Sequence, residues 1–355
     1  MLDGLQTDPI AFTITVQHLQ IVAIIAGILA LVGFFFGLRR RRQTGESMPD
    51  AWYGALLAVA VAIVAFAGSR WLAASDSEGF PIFWYGILIT AGIALGAWWA
   101  GREIERRGGD IDTFYNGLLL VVITGYLFAR LWYVLQEVIA GRGAQYDTFL
   151  EIINIRQGGA NILGGFVGAA LVGAWYIRRK RLDFWTYADV AGPALLLAQA
   201  IGRWGNFINQ ELYGPPTELP WGILIDPQNR LAQYATLPAD TRFHPTFLYE
   251  SLWLFIGFIL LVYLNRRYRE RWKSGTLFGL FLIWWGIGRT WVEFFRPDQP
   301  RIGETFVSYS MVIAFFIAVA GVPVLLSRYG KLPESGRSRR RRRRRRRKPK
   351  PRRSE

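Results

Sequence analysis

Nine apolar runs divide this chain, at 19–38, 52–74, 82–100, 114–139, 159–177, 187–203, 246–264, 277–295 and 305–327. Crossing roughly 30 Å of hydrocarbon takes about 20 mostly apolar residues in a helix. The expected fold is therefore all-α, a polytopic membrane protein with about nine transmembrane helices. The sixth run is the shortest and leads straight into a polar stretch. Composition agrees: residues of the AVILMFWYC set make up 52% of the 355 residues, charged ones only 19%, and tryptophan occurs fifteen times. Those values suit an integral membrane protein rather than a soluble domain. Nothing resembles a cleaved signal peptide with a small-residue cleavage site, so the first run reads as a retained anchor.

A net charge of +16 suggests nucleic-acid binding until its distribution is read. Much of it lies in 337–353, with nine consecutive arginines at 339–347, and most of the remainder in short clusters between apolar runs. The tail is expected to be a disordered cytoplasmic segment that anchors topology and attracts anionic lipid. No aromatic pattern or motif supports nucleic acid as a partner. The clusters orient the spans. With the N-terminus outside and alternation thereafter, "RRRR" (39–42), "REIERR" (102–107), "RRKR" (178–181) and "RRYRERWK" (266–273) all fall on inner loops. Excluding the tail, sixteen Lys and Arg lie inside against six outside, the positive-inside pattern of an N-out, C-in protein. There is no cysteine, and His18 and His244 are the two histidines. Disulfides, thiolate catalysis and a Cys-ligated metal are excluded, and a multi-histidine site is disfavoured. No metal and no cofactor is expected.

Depth gives meaning to the polar residues in the runs. "GRWGNFINQELYG" (202–214) follows the apolar "VAGPALLLAQAI" (190–201) with no charge between them, where each unpaired polar group is costly. Arg203 and Asn206 lie there at the outer end of the sixth run, and Arg130 lies in the outer half of the fourth. Arg289, Glu293 and Arg296 in "GRTWVEFFRPD" (288–298) share one helix face through their i, i+4, i+7 spacing. Tyr249 and Glu250 follow His244 from the same side. Arginines from three spans, set among amides, suit a phosphate, at this depth that of an outer-leaflet lipid headgroup. Plainer readings exist: Arg289 with Glu293 could simply hold helices together, and Arg130 could snorkel to the headgroups. The glycine pairs of "GGANILGGFVGA" (158–169) fit close helix packing or close approach of a ligand to bare backbone. Tyr187 and Asp189, at the inner end of the sixth run, read as a structural hydrogen-bonding pair.

Together these motifs resemble the prolipoprotein diacylglyceryl transferase family of bacteria. The 202–214 stretch, "WYG" (84–86), "ARLWYV" (129–134), the glycine-rich 158–168 stretch, "HPTFLYE" (244–250) and "GRTWVEFFRPD" fall in the family's order, over about 80–326. The resemblance implies a multi-pass enzyme of the bacterial plasma (inner) membrane with an outward-facing site. Its reaction moves the diacylglyceryl group of phosphatidylglycerol onto the lipobox cysteine thiol of a prolipoprotein, forming a thioether and releasing glycerol phosphate. This is the first step of lipoprotein maturation. Its partners would be phosphatidylglycerol and prolipoprotein signal peptides. By motif position, Arg203, Arg289, Glu293 and Tyr85 would be catalytic. Arg203, Asn206, Asn209, Glu211, Gly214, Arg130, Gly158, Gly159, Gly164, Gly165, Glu250 and Arg296 would bind substrate. The arginines would hold phosphate, the asparagines glycerol or ester oxygens, and Glu293 would orient Arg289. Glu211 and Glu250 would shape the site or serve as bases.

The chain departs from the family pattern twice. The family often carries a histidine before the second glycine pair, a candidate base for the thiol, and Leu163 stands there. The base is then another group, such as Tyr85 or a carboxylate, or the arginines ionise the thiol. Otherwise the chain is an inactive relative that binds anionic lipid or lipoprotein signal segments. The family usually has seven spans, so 19–38 and 52–74 are extra. "DPIAFTI" (8–14) resembles the lead-in normally found just before the "WYG" helix, as though a helical hairpin had been inserted between them. The expected organisation is a 1–79 extension with two transmembrane helices, an 80–327 transferase-like membrane domain and a 328–355 basic tail. A transporter is disfavoured, because no inverted repeat or matched pair of broken helices is present.

Overall fold

A computed structural model describes residues 10–15, 18, 21, 80–153, 159–303 and 305–330. The runs at 19–38 and 52–74 (Ile21 aside), Gly158 and the arginines at 339–347 lie outside the described residues. The chain forms two compact units, Gly4–Leu88 and Met1–Asp3 with Ile89–Glu355.

In the smaller unit, β1 (Ile10–Ile14) pairs antiparallel with β2 (Phe80–Phe83), Ile14 opposite Phe80 and Ile10 opposite Phe83. β-branched and aromatic residues suit such a ladder. β2 leads directly into α1 (Trp84–Arg106). The lead-in stretch is thus hydrogen-bonded to the residues that precede the "WYG" helix, although 15–79 intervene in sequence.

The larger unit is helical: α2 (Ile111–Ile139), a short α3 (Phe149–Ile153), α4 (Ile162–Arg179), α5 (Phe184–Ile208), α6 (Thr246–Tyr268), α7 (Thr276–Glu293) and α8 (Tyr309–Arg328). With α1, the long helices match the last seven apolar runs to within a few residues. Four of them, α1, α2, α6 and α8, are long and apolar enough to cross a membrane. Of the others, α4 ends in Arg178 and Arg179, while α5 and α7 carry charged residues. The protein is a mostly helical, multi-pass membrane protein. Among the described residues two short ladders depart from an all-α fold: β1–β2, and β3 (Ile223–Leu224) with β4 (Arg242–Phe243) between α5 and α6.

Side chains define where helices begin. Asp110 accepts from Thr113 N at 2.9 Å, Asn161 from Leu163 N at 2.8 Å, Asp183 from Thr186 N at 2.9 Å and Ser308 from Met311 N at 3.0 Å. Each such cap stabilises its helix by about 1 kcal/mol. Asp189 also has a structural role, but its partners begin α7: its carboxylate accepts from Gly275 N and Phe278 N, both at 2.8 Å.

The helices pack through small residues. α4 lies on α2, where a Cβ at Gly164 would meet Trp132 Cβ at 2.3 Å and the Phe128 carbonyl at 2.6 Å. Close packing is therefore the role the fold gives Gly164. α5, α6 and α7 pack on one another, burying Leu196, Leu254, Leu261, Leu277 and Phe281, and α8 covers α7. The 204–245 segment is no loose loop. It buries Phe207, Tyr213, Ile223, Ile225 and Phe243 with Phe247 of α6. The buried Arg230 ties it internally, donating to the carbonyls of Ile225, Leu237, Pro238 and Ala239 at 2.8–2.9 Å.

Candidate active site

The site begins where α5 ends. Gln210 takes a left-handed φ of 52°. Its N–H bonds to the Phe207 carbonyl and the Glu211 N–H to the Asn206 carbonyl, both at 3.0 Å. This is a Schellman-type ending with glutamine where glycine is usual. The side chain helps hold it: Gln210 Nε2 donates to Asp226 Oδ2 at 2.8 Å and Asp226 N donates back to Gln210 Oε1 at 2.7 Å. The turn folds Glu211 over the helix end, where its Oε1 accepts from Asn206 Nδ2 at 2.8 Å and Asn209 Nδ2 at 3.3 Å. Gly214 closes the turn. A Cβ there would lie 2.6 Å from His244 Cβ and 3.0 Å from the Phe295 carbonyl, so a side chain would push the segments apart.

From this helix end a charged network crosses three helices. Arg203 Nη1 donates to Asn206 Oδ1 at 3.2 Å and its Nη2 to Glu250 Oε1 of α6 at 2.7 Å. The other Glu250 oxygen stands 3.6 Å from Arg289 Nη1 of α7, and Arg289 Nη2 stands 3.1 Å from Glu293 Oε2. Glu293 Oε1 accepts from Ser308 Oγ at 2.8 Å. Ser251 fixes α6 at this level by donating to the Ala200 carbonyl at 2.8 Å. Glu250 and Glu293 are buried, and the Arg203 side chain is 22% exposed. Among the described residues, Arg289 Nη1 and Glu293 Oε2 are buried without a hydrogen bond, at ion-pair distance only. Buried polar atoms left this way are costly and call for an explanation. A ligand with both acceptor and donor oxygens would supply one.

The structure thus brings together Arg203, Asn206, Asn209, Glu211, Glu250, Arg289 and Glu293. Arg296 lies one turn beyond α7 and is buried against Asp298, Nε and Nη2 each donating at 2.8 Å to a different carboxylate oxygen. Burial pushes the Asp298 carboxyl up, but the Arg296 hydrogen bonds and charge outweigh it and hold the group below its usual value. Arg130 is also buried. It donates to the carbonyls of Glu151, Ile152 and Gly159 at 3.0, 2.8 and 2.9 Å, gathering α3 and the segment before α4. Gly159 has a φ of 80° with Tyr133 packed against it. A Cβ on Gly165 would lie 3.4 Å from Ala129 Cβ. Leu163 is 55% exposed in the first turn of α4. Tyr85, exposed in the first turn of α1, belongs to the smaller unit.

The sequence reading missed Ser308, Asp298 and Gln210. Ser308 did carry a signal, a serine directly before an apolar run. Gln210 and Asp298 lie inside the motifs at 202–214 and 288–298 but were given no role there, and Asp226, the partner of Gln210, carried no signal. Near the network, Tyr249 OH accepts from Trp221 Nε1 at 2.9 Å and lies 3.0 Å from His244 Nδ1.

Known proteins match much of the chain. The family model for prolipoprotein diacylglyceryl transferase matches residues 72–327. The chain belongs to that family. The phosphatidylglycerol–prolipoprotein diacylglyceryl transferase of Bacillus cereus (strain G9842) is 41% identical over 222 residues, which are 62% of this chain and 79% of that protein. The enzyme of the same name from Leifsonia xyli subsp. xyli (strain CTCB07) is 38% identical over 234 residues, 64% of this chain and 69% of its own. The diacylglyceryl transferase match contains β2, the whole ionic network and Arg130, while β1 and the run at 19–38 precede it.

Proposed function

We propose that this protein transfers the diacylglyceryl group of phosphatidylglycerol to the lipobox cysteine of prolipoproteins in the plasma (inner) membrane of a bacterium. The observation that carries this reading is Glu250 standing between Arg203 and Arg289, two guanidinium groups from different helices at one end of the bundle. Their forks suit a phosphate, which can displace Glu250 as their counter-ion.

In the proposed reaction the cysteine sulfur attacks the glycerol carbon that bears the phosphoester. The C–S bond forms as the C–O bond breaks, and the electron pair leaves with the phosphate oxygen of glycerol phosphate. Arg203 and Arg289 stabilise that developing charge in a site of low dielectric, and their field favours the thiolate. Glu293 orients Arg289, while Asn206 and Asn209 bind glycerol or ester oxygens. Glu211 and Glu250 are the candidates to take the thiol proton. Arg130, the glycines before and within α4, Gly214 and Arg296 hold the walls of the lipid site. Nine spans, N-out and C-in, set this site toward the outer leaflet. The 1–79 extension adds a hairpin to the 80–327 domain, and the 328–355 tail draws anionic lipid on the other side.

A second reading rests on Leu163: with no imidazole at that position, the chain would bind phosphatidylglycerol or signal segments without transfer. Reconstitution with phosphatidylglycerol and a lipobox peptide separates the two. A diacylglyceryl mass increment on the peptide, abolished by Arg203→Ala, is expected. Lipid binding with no increment would replace transfer with the binding role.

A further inference from the structure

The end of the helices opposite the ionic network holds a cavity of about 240 Å³ between α1, α5, α6 and α7. Arg107, Asp189 and Asn265 line its buried part, and Arg269, Lys273 and Ser274 line its mouth. Arg107 is held in place: Nε donates to Glu103 Oε1 at 3.0 Å, Nη2 to Asn265 Oδ1 at 3.1 Å, and Nη1 lies 3.8 Å from Asp189 Oδ2. Asn265 Nδ2 also donates to Glu103, at 2.7 Å. Both oxygens of Asp189 are engaged by the start of α7. At the mouth, Arg269 donates to the Arg106 carbonyl and the Lys273 ammonium lies 5.6 Å from the Tyr329 ring centre.

We propose that this cavity binds the phosphate group of an anionic ligand, on the membrane face opposite the candidate active site. In the buried part Arg107 faces two carboxylates, Glu103 and Asp189, so the positive charge open to a ligand is that of Arg269 and Lys273 at the mouth. The Ser274 hydroxyl adds a donor, since Thr186 and Thr276 already donate to Asp183 and to the Lys273 carbonyl, and Trp272 and Leu277 add an apolar wall. The volume fits a phosphate with part of its glycerol rather than a larger molecule. Basic pockets between transmembrane helices on the positively flanked side are a recognised way to hold anionic headgroups. This end also carries "REIERR", "RRKR" and "RRYRERWK". The phosphate can come from a membrane lipid or from a soluble ion. Either would tie together the far ends of the helices that carry Arg203, Glu250 and Arg289.

The test is independent of transfer. Full-length protein carrying Arg203→Gln, which weakens phosphate binding at the other end, is titrated in detergent with phosphatidic acid, phosphatidylcholine or inorganic phosphate. Binding is read by thermal shift and native mass spectrometry. Arg269→Gln with Lys273→Gln, both on exposed side chains, is compared, and Lys273→Gln alone is used if the double variant does not fold. Phosphatidic acid is expected to stabilise the parent well beyond phosphatidylcholine. The double substitution is expected to weaken its binding about tenfold or more, since each basic residue near an anionic surface contributes appreciably. If inorganic phosphate binds as well as phosphatidic acid and suffers the same loss, the site stands and its source is soluble. Phosphatidic acid affinity unchanged by the substitutions overturns the proposal.

Discussion

Ser308 donates a hydrogen bond of 2.8 Å to Glu293, hydroxyl to carboxylate, with both residues buried. The same oxygen caps α8 by accepting from Met311 N at 3.0 Å. One side chain therefore fixes the start of α8 and the carboxylate beside Arg289. Ser308→Ala should cost about 1 kcal/mol through the lost cap and leave a buried carboxylate oxygen short of a donor. If Glu293 orients Arg289, kcat for transfer should fall about tenfold while KM for phosphatidylglycerol changes little, and Ser308→Thr should restore most of the rate. Loss of thermal stability with kcat unchanged would make Ser308 a cap and nothing more.

Glu250 poses a different question, because its one carboxylate faces both Arg203 and Arg289. Glu250→Gln removes that charge from a buried cluster, and breaking a buried pair is strongly destabilising, about 3–5 kcal/mol. As a counter-ion that phosphate displaces, it should leave affinity for phosphatidylglycerol equal or higher when changed to Gln, while transfer drops if it also takes the thiol proton. Binding and single-turnover transfer measured on the same variant decide the point. Affinity falling in step with transfer would make Glu250 a direct lipid contact.

Helix positions were legible because hydrophobic length is written locally: each described apolar run became a helix, and Asp110, Asn161, Asp183 and Ser308 cap where such residues precede apolar periodicity. The site was legible in part for the same reason, since Arg203, Glu250 and Arg289 are rare charges in apolar runs and hydrocarbon forces such charges to meet. What escaped is pairing with backbone. Arg130 was open between snorkelling and lipid phosphate, yet it donates to the carbonyls of Glu151, Ile152 and Gly159. Every residue has a carbonyl, so such acceptors leave no mark on a sequence. Arg230, with four carbonyl acceptors, went unnoticed for the same reason.

Arg130 therefore gives a sharp prediction. Three carbonyls in different directions need the planar guanidinium fork, which a lysine ammonium does not reproduce. Arg130→Lys should loosen α3 and the residues at Gly159, seen as faster amide exchange there, and cut transfer nearly as far as Arg130→Ala does. Each carbonyl left unsatisfied in a buried setting costs about 1–3 kcal/mol. If Arg130 instead served as a simple charge for lipid phosphate, the lysine variant would keep most of the activity and the normal exchange pattern.

Asp298 gives the chain an acid-sensitive joint just past α7. Its carboxyl is burdened by burial yet held below the usual value by Arg296. A group whose folded pKa is depressed contributes stability that is present above its unfolded value, about 3.9 for aspartate, and lost as pH falls through the lower folded value. The wild-type melting temperature should therefore decline below about pH 4 more steeply than that of Asp298→Asn. At pH 7 the variant should be the less stable of the two, since its buried Arg296 loses a bidentate partner. The two curves should converge as pH falls through the lower folded value. Parallel curves across that range would show that the Arg296–Asp298 pair adds nothing to stability, and that its bidentate geometry serves only to aim Arg296.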